Sequence, residues 1–364
     1  MLPVLKFARE HARPGSFAIE TEETTYERDG EVLEATLYRP PRFRHGAAWV
    51  VLHGLTVPGR HHESLVRFAR ALAATNALVF VPDIPEWRDL RLATAVSVPS
   101  IRAAVHALSR RPEVDPGRLG LIGFSFGATQ ALVAAADPAI AAILNGIAAW
   151  GGYCDVRSLF RFGIDGRHEL DGRIYTIEPD PYGRWIIGAN YLPLVSGYED
   201  HHEVARALRA LALEAGRRRV YAWDPVYDPL KRQLRERLPA HGRDLFDLFA
   251  PPSGQPIRDV PWALAIADAL ATAALAAEPI LDPGPALPHL TTPVLLAHGR
   301  DDRLIPFTQS VRLARALPPG ILRNATITAL FSHSGGTQAG LGVLGKLREG
   351  FRFAALLNRI ATMI

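Results

Sequence analysis

Leu119-Gly120-Leu121-Ile122-Gly123-Phe124-Ser125-Phe126-Gly127-Ala128-Thr129 is the stretch on which the fold turns. The apolar run over 119–124 reads as a buried strand. Residues 126–136, small and alanine-rich, read as a helix that stops at Asp137-Pro138. Ser125 is the polar residue at the junction. Gly123 and Gly127, two residues to either side, let the turn stay tight and the helix come close to the strand. A hydroxyl in that position is pushed out at the carboxyl end of a sheet. The amino end of a helix lies beside it, where a developing negative charge meets unpaired N–H groups. The stretch reads as a nucleophile elbow. The competing reading is a chance G-x-S-x-G in a chain with 30 glycines, with Ser125 as a helix cap. The strand before it and the helix after it favour the elbow.

The same rhythm extends to both sides. Residues 17–26 and 32–38 flank Asp29-Gly30 and predict an antiparallel hairpin at the sheet edge. A buried strand over 47–52 runs into His53-Gly54-Leu55-Thr56. A helical pattern follows over 63–74, then a strand over 78–81. A loop with Pro82, Asp83, Pro85 and Trp87 leads to a helix over 98–109. Beyond the elbow, residues 141–144 predict another strand. Strands and helices alternating at this spacing predict an α/β fold with a doubly wound, mostly parallel sheet. The rhythm breaks over 150–277. There a short hairpin-like piece near 174–177 is followed by helical patterns over 203–215, 229–238 and 262–277, too long a stretch for a loop. The expected organisation is a sheet core over 1–149 and 278–364 with a mainly helical cap over 150–277. Sheet rhythm resumes with strands over 294–297 and 325–331, separated by a helix over 307–317. A helix over 341–360 closes the chain.

Bulk composition narrows the function classes. With 364 residues, 48% hydrophobic and 21% charged, the chain can bury a full core. Its net charge of +4 is mild for this length, and the basic residues are almost all arginines, scattered apart from Arg217-Arg218-Arg219. No basic stripe is interleaved with aromatics, so no nucleic-acid partner is expected. Cys154 is the only cysteine, so no intrachain disulfide forms. The first ten residues lack a long apolar core and do not read as a signal peptide. The longest apolar stretch, 262–277, is interrupted by Asp268 and reads as too short to span a membrane. A cytoplasmic protein is the expectation. His61-His62 and His201-His202 lack the spacing that would complete a metal site, and neither metal nor cofactor is expected.

A serine hydroxyl needs a base to take its proton, and the base needs an acid to hold its tautomer. In a doubly wound sheet such groups lie in loops after the carboxyl ends of strands. The strand over 294–297 ends in His298-Gly299-Arg300-Asp301-Asp302, and the strand over 325–331 in Ser332-His333-Ser334-Gly335. Asp301 and Asp302 are the candidate acids and His333 the candidate base. The order serine, aspartate, histidine is the one expected with this elbow. An oxyanion needs two N–H donors. One is that of Phe126, directly after the nucleophile, and the other belongs to the loop after the strand over 47–52.

With these residues in place, the chain resembles the α/β-hydrolase superfamily of serine hydrolases, over roughly residues 46–146 and from 292 onward. The resemblance implies several roles. The pattern H-G-x-x-D-x-x-[IV]-P falls on 298–306 and places the acid on Asp302, with Asp301 facing solvent or capping the next turn. The segment 333–335 is similar to the superfamily's catalytic-histidine loop. His53-Gly54-Leu55 is similar to its H-G-x loop, which assigns the second donor to the N–H of Leu55, with Thr56 as the alternative. His53 itself reads as a structural hydrogen-bonder. Asp155 is a possible displaced acid, and Cys154 reads as a small buried hydrophobe. Trp87, Trp150 and Tyr153, in loops after strands, are candidate walls of a substrate pocket, with core packing an equal reading.

The expected function is cleavage of a small-molecule carboxylic ester through Ser125, His333, Asp302 and an acyl-enzyme. Two alternatives stand beside it. One is a peptidase or acyltransferase with the same apparatus; the other is a catalytically silent binder of the same fold.

Overall fold

The computed structural model describes residues 2–218, 220–329 and 343–364. The first half of the chain runs α1 (Leu2–Ala12), β1 (Glu20–Arg28), β2 (Glu31–Arg39), β3 (Gly46–Leu52), α2 (Glu63–Ala73), β4 (Leu78–Pro82), α3 (Pro85–Arg88) and α4 (Thr94–Ser109). It continues through β5 (Val114–Phe124), α5 (Phe126–Ala135), α6 (Pro138–Ala141) and β6 (Gly146–Trp150). A helical stretch follows: α7 (Val156–Asp165), a hairpin of β7 (Arg167–Leu170) and β8 (Arg173–Thr176), α8 (Pro181–Tyr191), α9 (His202–Arg218), α10 (Asp228–Arg237), α11 (Ala240–Phe249) and α12 (Val260–Ala277). The chain then returns to the sheet with β9 (Val294–Gly299), α13 (Thr308–Ala316), β10 (Leu322–Thr328) and α14 (Val343–Ala361).

Eight strands form one sheet in the order β1-β2-β4-β3-β5-β6-β9-β10. Only the first hairpin breaks the parallel arrangement: β1 pairs antiparallel with β2, and β2 with β4. The remaining neighbours are all parallel. The hairpin turns at Asp29 (φ 50°) and Gly30 (φ 84°), the pair of positive φ values that a two-residue turn demands.

Alternation along the strands builds two cores. Ala48, Val50 and Leu52 of β3, Leu78 and Phe80 of β4, Leu121 of β5 and Ile147 and Ala149 of β6 face α4, α5 and the helical stretch. Trp49, Val51, Val79, Val81, Ile122, Ala148 and Trp150 face Phe7 of α1, Phe68 of α2 and Leu356 of α14. These are the two faces of a period-2 strand, each covered by helices.

The structure corrects the sequence reading in three places. The strand expected over 141–144 does not form there. Asp137 caps α6 by accepting from Ala139 N–H, and the following strand is β6, with Asn145 Oδ1 accepting from Leu119 N–H at 3.0 Å. The run over 141–144 is apolar because the buried Leu144 belongs to the turn that feeds β6. Trp150 is therefore the last residue of a strand, not part of a loop. The third correction concerns α12. It extends over 18 residues and is, among the described residues, long and apolar enough to cross a membrane by length and composition. Its stripe of Ala263, Ile266, Ala267, Leu270, Ala271 and Ala274 is buried, it packs on α7, and its Asp268 is paired with Arg161 at 2.6 Å.

Chain reversal at the elbow depends on bare backbone. A Cβ on Gly123 would collide with the carbonyl of Gly127, and one on Gly127 with the carbonyl of His53. We expect Gly123→Ala to cost about 1–3 kcal/mol through this overpacking. Urea unfolding measures it; a variant as stable as the parent would show that the turn has slack.

Candidate active site

The parallel order places the carboxyl ends of β3, β5, β6 and β9 along one edge. β3 leads to β4 on one side, and the chain then crosses to β5 on the other. The crevice between the loops after β3 and β5 is therefore the switch point where ligands bind in open α/β sheets. Ser125 lies at that crevice. It has φ 57° and ψ −128°, a conformation that costs a non-glycine residue about 1–3 kcal/mol. Its N–H donates to Trp150 O at 2.7 Å, and its carbonyl accepts from Ala128 N–H at 2.9 Å. The side chain is half-buried at the amino end of α5.

Across the crevice, Gly54 is close enough that an ideal Cβ there would lie 2.9 Å from Ser125 Cβ and 3.4 Å from Oγ. The backbone of the loop after β3 thus runs alongside the nucleophile. His53 shapes this loop. Ile84 N–H donates to its Nε2 at 3.2 Å, so the ring proton is on Nδ1, which donates to Gly54 O at 2.7 Å. Burial lowers its pKa to about 4, and the ring is neutral. Among the described residues neither Leu55 N–H nor Phe126 N–H meets an acceptor.

In the loop after β9 the two candidate acids part company. Asp301 is exposed, whereas Asp302 is 1% exposed. Asp302 Oδ1 accepts from Leu304 N–H at 2.9 Å and Ile305 N–H at 3.0 Å, which fixes the carboxylate against the backbone. His298, buried beneath it, donates from Nε2 to Ile305 O at 2.7 Å and accepts at Nδ1 from Ser310 Oγ at 2.6 Å. The same Nε2 is 3.5 Å from Asp302 Oδ2. His333 lies outside the described residues.

Other candidates have occupations elsewhere. Asp155 caps α7 through Ser158 N–H and pairs with Arg312 at 2.8 Å. Cys154 is half-buried, and burial pushes its thiol up to about 11, the wrong direction for a nucleophile. Among the described residues no three metal-ligating side chains come together.

The aromatic candidates are core. Trp87 is fully buried, edge-on to His53 and Phe126. Tyr153 stacks on Phe126 at 5.9 Å, and its hydroxyl donates to Leu281 O while accepting from Gln130 Nε2. Trp150 points to the opposite face of the sheet, among Phe68, Phe124 and Phe353. The expected pocket walls are thus buried supports of the elbow. Their positions after strands could not separate the two readings, because the face a residue takes depends on register.

Sequence reasoning missed the fastening of the helical stretch to the acid loop. Asp180 N–H, at the cap of α8, donates to Arg303 O at 2.8 Å, and Arg303 pairs with Glu178 at 2.9 Å. The Arg303 guanidinium also lies 4.5 Å from the centroid of the Trp223 ring. No local pattern announces contacts between residues so far apart in sequence.

The strand order, the parallel pairing and the serine at the strand-to-helix turn define the α/β-hydrolase fold. Among solved structures, the uncomplexed acylaminoacyl peptidase of Pyrococcus horikoshii matches with a TM-score of 0.51 and 12% identity. The match covers 94% of this chain and 41% of that one. An acylaminoacyl peptidase in complex with Z-Gly-Gly-Phe-chloromethyl ketone matches with a TM-score of 0.50, again at 12% identity and over 94% and 41% of the two chains. Est1E from Butyrivibrio proteoclasticus gives 0.49 and 13% identity over 93% of this chain and 99% of that one. At such identities the likeness is one of fold alone. No family model and no curated protein matches the sequence.

Two expectations follow from this geometry. Trp150→Ala should cost about 3–5 kcal/mol of stability, as for a buried aromatic; a shifted ester preference at unchanged stability would return Trp150 to the pocket. The second concerns acid. His53 has a folded pKa below the ordinary 6.5, so the unfolded chain binds the extra proton first. Its contribution is complete above about pH 6.5 and is lost as pH falls toward 4. Urea unfolding should show a loss of about 2 kcal/mol between pH 7 and 5, with a smaller loss in His53→Gln. A profile identical in the two proteins would contradict the buried neutral ring.

Proposed function

We propose that the chain is a serine hydrolase that cleaves carboxylic esters. The observation that carries this reading is the backbone of Ser125. A positive φ at a serine, held between two glycines and pressed against Gly54, is a strained conformation that the surroundings enforce. In this reading Ser125 Oγ attacks the ester carbonyl and gives its proton to His333. Asp302 holds the imidazole in the right tautomer and stabilises its charged form. The N–H groups of Leu55 and Phe126 receive the oxyanion, worth about 3–4 kcal/mol per donor lost in comparable sites. The alcohol leaves with the proton from His333, and water then releases the acyl group from Ser125. The helical residues 150–277 serve as a cap that bounds the substrate.

Hydrolysis of p-nitrophenyl esters from acetate to palmitate tests the reading. Ser125→Ala should lower kcat by about 10⁴- to 10⁶-fold. Asp302→Asn should lower it by about 10²- to 10⁴-fold, while Asp301→Asn stays within about threefold of the parent. Turnover that survives Ser125→Ala would overturn the proposal. A crippled Asp301→Asn beside a healthy Asp302→Asn would move the acid.

A further inference from the structure

β10 is the last strand of the sheet, and among the described residues it pairs with β9 alone. A groove of about 410 Å³ runs beside it, and all of residues 324–327 line that groove. Successive side chains of a strand point to opposite faces, so a groove touching four in a row follows the edge itself. There alternate residues turn their backbone N–H and C=O away from β9, and among the described residues nothing takes these groups up.

The facing wall is α14. Arg352, Ala355, Leu356 and Arg359 line the groove at the i, i+3, i+4, i+7 spacing of one helix stripe. Leu356 is buried at its floor, and an arginine stands at each end. Arg300, whose N–H donates to Thr328 O at 2.8 Å, adds a third guanidinium. Arg352 is paired with Glu349 at 2.8 Å, and the other oxygen of that carboxylate accepts from Thr328 Oγ1 and Ala329 N–H. Arg300 and Arg359 are exposed and, among the described residues, meet no carboxylate at ion-pair distance.

A free strand edge takes up an extended segment, and arginines in excess of carboxylates select an acidic one. The lengths agree: four strand residues span about 13 Å, and Arg352 to Arg359 is about 10.5 Å along the helix. A second copy of this chain fits poorly, because symmetric pairing of β10 with itself sets the two arginine groups against each other. Residues 330–342, which join β10 to α14, include no Asp or Glu and lack the complementary charge.

We propose that the groove between β10 and α14 is a docking site for an extended, acidic segment of a partner protein. The segment pairs with the free edge of β10 and sets its carboxylates against Arg300, Arg352 and Arg359. Docking there needs no turnover at Ser125 and stands apart from the hydrolase reading.

The probe is a capped, fluorophore-labelled hexapeptide of alternating glutamate and valine, titrated against the full chain at low salt by fluorescence anisotropy. Saturable binding below about 1 mM is expected. Arg300→Gln and Arg359→Gln should each weaken it about 3- to 10-fold at parental Tm, because both side chains are exposed. The same peptide N-methylated along its backbone keeps its charge and loses its donors, and it should bind at least about 10-fold more weakly. The protein is unchanged in that comparison, so no folding defect can imitate the result. Absence of saturable binding, or parental affinity in both arginine variants, overturns the proposal. Equal binding of the N-methylated peptide overturns it in favour of diffuse charge attraction. Displacement by inorganic phosphate at constant ionic strength overturns it in favour of a small-anion pocket. A dimer in sedimentation that excludes the peptide gives the groove to a second copy and overturns it as well.

Discussion

The approach of Gly127 to Gly123 is the constraint on which the site depends. It forces the chain from strand to helix within one residue, and the residue caught between them is Ser125 at φ 57°. The backbone strain is held by parts that are themselves rigid: the β6 partner Trp150, whose carbonyl takes the Ser125 N–H, and the Gly54 backbone across the crevice. Trp87, Phe126 and Tyr153 form a continuous aromatic buttress on the helix side of the elbow. These rings act on the site through the elbow they support.

The sheet edge supplies what a single strand cannot. Because β3, β5, β6 and β9 run parallel, their carboxyl ends lie along one edge, and the loops that carry Gly54, Ser125 and the buried Asp302 follow from it although they are far apart in sequence. Each loop is pinned by its own polar core. His53 links Gly54 to Ile84 in one loop, and His298 links Ser310 to Ile305 in the other. Both imidazoles act as struts that use both ring nitrogens, which preorganises neighbouring atoms. The helical stretch is then keyed to this edge through Arg303, which pairs with Glu178 and lies against Trp223, so that stretch is fixed to the loop that bears Asp302.

Much of this was legible in the sequence because strand burial is periodic and the elbow is local. The apolar runs of β3, β4, β5 and β9, the Asp29-Gly30 turn and the glycines around Ser125 each carry their signal within a few residues. Asp302 rather than Asp301 was suggested by a resemblance; the structure separates the two by burial. What stayed hidden depends on partners distant in sequence. The apolar turn around Leu144 imitates a strand in sequence and hides the start of β6 at Gly146. The facing of Trp150 followed from that register and was lost with it. Gly216 of α9 is bare where Val57 and the Tyr182 hydroxyl of α8 come close, a meeting of three segments that no periodicity links.

The most direct measurement is reaction of the folded chain with a small alkyl fluorophosphonate, followed by peptide mapping of the adduct. The account predicts a single stoichiometric adduct on Ser125. No adduct on the folded protein, or an adduct on another residue with Ser125 unmodified, would contradict it.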